Sequence, residues 1–241
     1  MNLPMLKLFP HDLIWFGSEW MGQIVNFRRP LCSWIIVEKL LENTECYMKK
    51  DFEISKFYSE SCGIFVCEDT NTSIRAFMKI RMQTPYYEAR DYHSHERAQQ
   101  AVGKMCGRTE SEAEALETLT MRTCPSTPTL IAWKHEIQCQ DGWVPGSFVD
   151  YIVMERLKGI TLSSEMIYRL TAERKQSLRL AFKEAYENCL KCGVVHLDKA
   201  ARNLIWDEGN ARCYLIDWET WRRQRQGEEW NDGQYRFWGL D

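Results

Sequence analysis

Residues 194–221 read VVHLDKAARNLIWDEGNARCYLIDWETW. Val194 and Val195 lead into His196, Asp198 and Asn203 in the order H-x-D-x-x-x-x-N. A short β-hairpin follows, and its second, apolar strand ends at Asp217. An Asp in a loop needs no special account by itself, because its side chain turns the chain well. Asp198 followed by Asn203, and then by Asp217 beyond an apolar strand, is a more demanding pattern. Asn203 and Asp217 carry side-chain oxygens, the ligand type that hard divalent cations take.

Upstream of this stretch, Thr171–Cys192 predicts a long helix with Gly193 at its C-terminal cap. YIVMERL (151–157) reads as a buried strand, broken by Lys158-Gly159. Ser111–Arg122 predicts a second helix, acidic early, basic at its end and stopped before Pro125. Within residues 52–82, FEISKFYSE, GIFVCED and SIRAFMKIR are short β-rich runs, parted by Cys62-Gly63 and by the turn-prone Asp69–Thr72. They predict three antiparallel strands in a row. Leu31–Glu45 predicts a helix with Ile35, Ile36, Leu40 and Leu41 on its apolar face. The polar stretch 86–108 has no clear period and reads as an insertion or a helix.

The 241 residues suffice for one large domain or two small lobes around a cleft. A hydrophobic share of 44% with 27% charged residues is that of a soluble globular chain, and a net charge of −3 gives no electrostatic argument for general nucleic-acid binding. The first twenty residues lack a basic start followed by a long apolar run, so no secretory signal is expected. No apolar run is long enough to span a bilayer. The expected location is cytoplasmic. Ten cysteines then read as small buried hydrophobes or free thiols. Cys189 and Cys192 form a C-x-x-C at the end of a helix, but no second pair follows at zinc-finger spacing.

The loop motif and the order of elements resemble the protein-kinase-like superfamily, above all its small-molecule kinases of the aminoglycoside and choline kinase type and their fungal kinase-like relatives. The resemblance covers roughly residues 50–222. It implies an α+β, bilobal protein-kinase-like fold with a minimal C-terminal lobe: residues 1–50 as an extension of unknown role, 51–157 as an N-lobe with an antiparallel sheet and one main helix, and 158–241 as a truncated C-lobe. It implies a magnesium-dependent transfer of phosphate from ATP, or another nucleoside triphosphate, to a small-molecule acceptor, with a place in secondary metabolism. Asp198 would orient the acceptor hydroxyl, His196 would brace the loop, and Lys199 and Arg202 would neutralise the transferred phosphate. Asn203 and Asp217 would hold Mg2+. Lys79 resembles the lysine that grips the nucleotide phosphates, with Glu112 as its partner and Glu114 as the fallback. Met154–Leu157, with Glu155, resembles the adenine-reading hinge.

The chain departs from the family in four places. Where a glycine-rich nucleotide loop is expected it has FYSESCGIFV, with Gly63 alone in place and Ser59 and Ser61 as substitute donors. Ala200 stands where protein kinases carry a lysine, and Asp217-Trp218-Glu219 replaces D-F-G; Glu219 reads equally as a further ligand or a solvated charge. The short stretch after Asp217 leads us to expect no helical substrate lobe, only a short helix and an irregular end. These departures support two alternatives: a pseudokinase acting as a binding or scaffold module, or a kinase-fold transferase of other chemistry. The latter includes an aminoacyl-tRNA-dependent arginine-containing cyclodipeptide synthase, the one reading with tRNA as a partner.

Overall fold

The computed structural model describes residues 14–241. Residues 1–13, part of the segment read for a secretory leader, lie outside the described residues. Mixed sheet and helix divide into two compact units. The described residues up to Thr109 with Ile131–Met154 form one; Glu110–Leu130 with Glu155–Asp241 form the other.

The first unit is built on a six-stranded sheet. Its strands are β1 (Ile24–Arg28), β2 (Leu31–Glu45), β3 (Glu60–Asp69), β4 (Arg75–Gln83), β5 (Leu130–Ile137) and β6 (Phe148–Glu155), in the order β1-β2-β3-β4-β6-β5. The expected helix at Leu31–Glu45 is a strand. Trp34 and Ile36 alternate into the core, while Leu40 and Leu41, read as part of an apolar helix face, are about half exposed. Register shifts at Ile36/Glu38 and Lys39/Leu41 break the period-two signal, which made the apolar spacing look helical. β2 pairs with β1 on one side and β3 on the other, so residues 24–45 belong to the sheet instead of forming an extension.

FEISKFYSE is corrected in the same way. Its first half lies in α1 (Lys49–Ser55), started by Asp51, whose carboxylate accepts the Met48 N–H at 3.0 Å, and ended by Lys56 in the left-handed region. GIFVCED and SIRAFMKIR do pair as β3 and β4 around the Asp69 turn, where Asp69 Oδ1 accepts the Asn71 and Thr72 N–H groups. The core of this unit gathers Phe27, Trp34, Phe65, Met78, Ile80 and Val153. The polar stretch 86–108 holds the four-residue α2 (Ser94–Arg97) and the start of α3 (Gly107–Met121).

In the second unit a short strand, β7 (Ile160–Thr161), and a one-turn helix, α4 (Ser164–Tyr168), precede the long α5 (Ala172–Lys191). Thr171 caps α5 by accepting the Arg174 N–H, and Gly193, at φ +71°, ends it. β8 (Val194–His196) leads into the loop. The hairpin β9 (Leu204–Asp207) and β10 (Arg212–Leu215) follows, with β9 also pairing β7. β11 (Trp221–Arg223) returns antiparallel to β8 and places Trp221 opposite His196. The tail ends in α6 (Gly233–Phe237). The tail is a short helix with irregular flanks, as expected, and it also completes a core: Phe182 of α5 contacts Trp230, Tyr235 and the fully buried Trp238. No helix among the described residues is long and apolar enough to cross a membrane.

Candidate active site

The loop between β8 and β9 is held by its own side chains. Asn203 is buried, and its Nδ2 donates to the Asp198 carbonyl at 2.8 Å and to Asp198 Oδ2 at 3.0 Å. That leaves the amide oxygen of Asn203 as its ligand atom. The Ile216 N–H donates to the Asn203 carbonyl at 3.0 Å, so the residue before Asp217 is tied to the loop. Both Asp198 oxygens accept from Arg202 Nη2, at 2.9 and 2.7 Å. Arg202 is therefore engaged with Asp198 itself, a geometry in which it restrains the carboxylate. Lys199 turns elsewhere: its Nζ donates to Gln234 Oε1 at 3.0 Å and lies 5.1 Å over the Phe237 ring. Burial holds its pKa below the usual lysine value. Of the two cations read as phosphate-neutralising, one clamps the loop aspartate and the other anchors the tail.

His196 has the bracing role expected of it. Its Nε2 meets two carbonyls, those of Ile216 and Asp217, each at 3.0 Å. Carbonyls only accept, so the proton sits on Nε2; Nδ1 is buried without a hydrogen-bond partner. Burial is the main reason the imidazole pKa falls below its ordinary value, and the neutral ring packs against Trp218 and Trp238 with centroids 4.7 and 5.3 Å away.

Asp217 adopts φ +63°, a left-handed conformation that Asp tolerates better than most residues. Trp218 is fully buried and donates from Nε1 to the Leu215 carbonyl at 3.1 Å. With the indole turned into the core, the flanking Asp217 and Glu219 converge. Trp221 donates from Nε1 to the Ser111 carbonyl at 2.8 Å, which fixes α3 beside this turn. As a result, one carboxylate oxygen from each of Glu112, Asp217 and Glu219 lies within 4.8 Å of the others. Three carboxylates form an all-oxygen donor set, the chemistry a hard divalent cation requires.

Glu112 was expected as the partner of a lysine, and Glu219 was left open between ligand and solvated charge. Their convergence with Asp217 was missed. The D-x-E spacing was the available signal, since a buried middle residue directs its two neighbours to one side. The fallback Glu114 is exposed on α3.

The nucleotide-loop residues are not where that role requires. Gly63 lies inside β3, opposite Ile80 and Glu42, and not in a turn. A Cβ there would come within 2.6 Å of the Phe65 ring and 3.1 Å of Phe16, so the glycine makes room for aromatic packing. Ser59 Oγ accepts the Tyr47 N–H at 2.8 Å, and Ser61 Oγ bonds Thr44 and Glu42, so both hydroxyls serve strand pairing. Glu155 joins the backbone: its N–H donates to the Thr129 carbonyl, and its Oε2 accepts from the Thr129 hydroxyl at 2.9 Å. Lys79 is buried in β4, opposite Ile64, in the first unit; Glu112 belongs to the second.

No family model matches the chain, and no curated protein sequence does. The solved structure of the kinase PK-1 of Cydia pomonella granulovirus is similar at a TM-score of 0.46 and 15% identity, over 79% of this chain and 52% of that one. The chain thus spans about half the length of that kinase. A likeness this distant speaks for no activity.

Proposed function

We propose that the protein is a magnesium-dependent phosphotransferase acting on a hydroxyl of a small molecule, with a nucleoside triphosphate as donor. The observation that carries this reading is the convergence of Glu112, Asp217 and Glu219 within 4.8 Å, next to a loop in which Asn203 holds Asp198. Asp217, Glu219, Glu112 and the amide oxygen of Asn203 would hold the cation, which when bound neutralises charge on the phosphates. Asp198 receives the acceptor hydroxyl and orients it. Arg202 fixes that carboxylate in direction. His196, neutral and donating to the Asp217 carbonyl, holds the turn in its left-handed form.

A thermal-shift titration tests the reading. Mg-ATP stabilises a native state that binds it by mass action, by roughly 2.7 kcal/mol at a hundredfold excess over Kd. The melting temperature should rise with Mg-ATP, and Asp217→Asn should abolish most of the rise. No rise with any nucleoside triphosphate and magnesium would defeat it.

A binding module without transfer is the second reading. Gly63 lies within a strand, and Arg202 engages both Asp198 oxygens; these observations favour it. Binding of Mg-ATP without product formation from any acceptor would establish it.

A further inference from the structure

Four cysteines of the second unit converge away from the carboxylates. Cys124 follows the last turn of α3, where its N–H donates to the Leu119 carbonyl at 2.9 Å. Cys189 lies in the last turn of α5, Cys192 is the residue that ends that helix, and Cys213 lies in β10. The Sγ atoms of Cys124 and Cys189 are 4.0 Å apart, although 65 residues separate them in the chain. Cys192 Sγ lies 4.0 Å from the Arg122 carbonyl, beside the same loop. Cys189, Cys192 and Cys213 are buried, whereas Cys124 is half-buried.

The four thiols are not equivalent. Cys124 accepts hydrogen bonds, first from Cys189 and then from the Ser126 backbone, Thr127 and Cys192; against the opposing effect of burial they bring its thiol down to about 6. Burial pushes Cys189 well above its ordinary value, Cys192 up to about 11 and Cys213 up to about 12. Of this pair, 4.0 Å apart, Cys124 is therefore the thiol that ionises more readily and Cys189 the one that keeps its proton. A readily ionised thiol beside a second thiol is the arrangement of a peroxide-reactive cysteine with its resolving partner. The sulfurs must close by roughly 2 Å to reach a disulfide bond length, a displacement of the size a side-chain rotation produces.

We propose that Cys124 is a site of reversible oxidation by a hydroperoxide, resolved by Cys189 into a disulfide joining the end of α3 to the end of α5. In the first step the Cys124 sulfur attacks one peroxide oxygen and the O–O bond breaks. The leaving hydroxide takes a proton from solvent, and Cys124 becomes a sulfenic acid. In the second step the Cys189 sulfur attacks the Cys124 sulfur and the S–O bond breaks. The departing hydroxide takes the Cys189 proton as water. Two thiols are oxidised and one hydroperoxide is reduced, and a low-molecular-weight thiol reverses the change by exchange. The bond would pin α3, the helix that carries Glu112, to the helix that leads into the Asp198 loop. The proposal does not depend on the phosphotransferase reading.

The test treats the full chain with near-stoichiometric hydrogen peroxide, blocks remaining thiols with N-ethylmaleimide and maps peptides by mass. The expected product is a Cys124–Cys189 linked pair, lost after dithiothreitol. Cys124→Ser should remove it, and Cys189→Ala should stop Cys124 at a sulfenic acid that dimedone traps. Because Cys189 is buried and its variant could misfold, the wild-type protein is also treated with dimedone and peroxide together, and labelling should appear on Cys124 first. First labelling of the exposed Cys139, a Cys124–Cys192 link in place of the expected one, or an unmodified Cys124 would each overturn the proposal.

Discussion

Both units pair opposite charges at their surfaces, but the sheet unit also buries an ion pair, whereas the helical unit gathers three carboxylates. Arg81 and Glu60 form a buried ion pair in the sheet unit; Arg108 joins Glu60 at 3.1 Å and forks onto both oxygens of Glu45 at 2.8 Å. His135 Nδ1 lies 2.7 Å from the fully buried Asp150, whose other oxygen accepts the Cys106 N–H. A Cys, a His and an Asp thus gather in a small space, yet the Cys106 sulfur turns to Glu60 and His135 Nε2 to the Gly103 carbonyl. No nucleophile–base contact exists in that group, and its polarity serves architecture. In the helical unit, Glu112, Asp217 and Glu219 converge from segments about a hundred residues apart in sequence. Burying complementary charges settles a structure, while gathering carboxylates prepares a place for a cation.

The largest expected effect breaks the first half of this contrast. Glu60→Ala leaves Arg81 and Arg108 without their shared carboxylate in a buried position. Denaturant unfolding should show a loss of about 3–5 kcal/mol, the usual penalty for removing one partner of a buried pair. A loss near zero would mean that the pair is ornamental.

Next comes Asp198→Ala, which tests the second half. Mg-ATP affinity should stay within a few-fold of wild type. Turnover should fall by about two orders of magnitude, the size of a lost catalytic contact. Unchanged product formation with the true acceptor would reduce Asp198 to a turn residue.

Glu219→Gln sharpens the contrast, because it removes one carboxylate and preserves shape. The magnesium-dependent rise in melting temperature should shrink by more than half, while the metal-free unfolding midpoint stays within about 0.5 kcal/mol of wild type. An unaltered rise would return Glu219 to the solvated charge it was at first equally read to be.

The smallest effects concern pH. The His196 pKa is lowered on folding, so the unfolded chain binds the proton more readily than the native one. Its contribution is complete above the ordinary value of 6.5 and declines as pH falls below it, toward the lower folded value. His196→Gln should flatten that part of the stability–pH curve. Glu228, paired with Arg222 at 2.5 Å, is held down to about 2. Its contribution is present above about 4.5 and is lost as pH falls toward 2. Arg222→Ala should remove that acid limb and leave the one near neutrality intact. If the two variants change the same limb, the groups have been misassigned.

Legibility followed the range of the interactions. The helix from Thr171 to its glycine cap, the hairpin after Asn203 and the Asp69 turn were readable because caps, turns and hairpins are written into neighbouring residues. The His196 brace was expected from the resemblance and appears with its two carbonyl partners. Leu31–Glu45 was misread because a twice-shifted strand carries apolar residues at spacings that mimic a helix. The tail's part in a core was not legible because its aromatic residues make sense only against Phe182.

By itself, then, the sequence determined the loop that carries Asp198 and Asn203 and the hairpin behind it, with Asp217 at its end. Each of these rests on contacts within a few residues. Only the tertiary structure decided that β1 and β2 extend the sheet, that Glu112 meets Asp217 and Glu219, and that Cys124 meets Cys189. Those contacts join segments far apart in the chain. Each exists only once its own unit has a core: Phe27, Trp34 and Phe65 in the sheet unit, Trp218, Phe182 and Trp238 in the other.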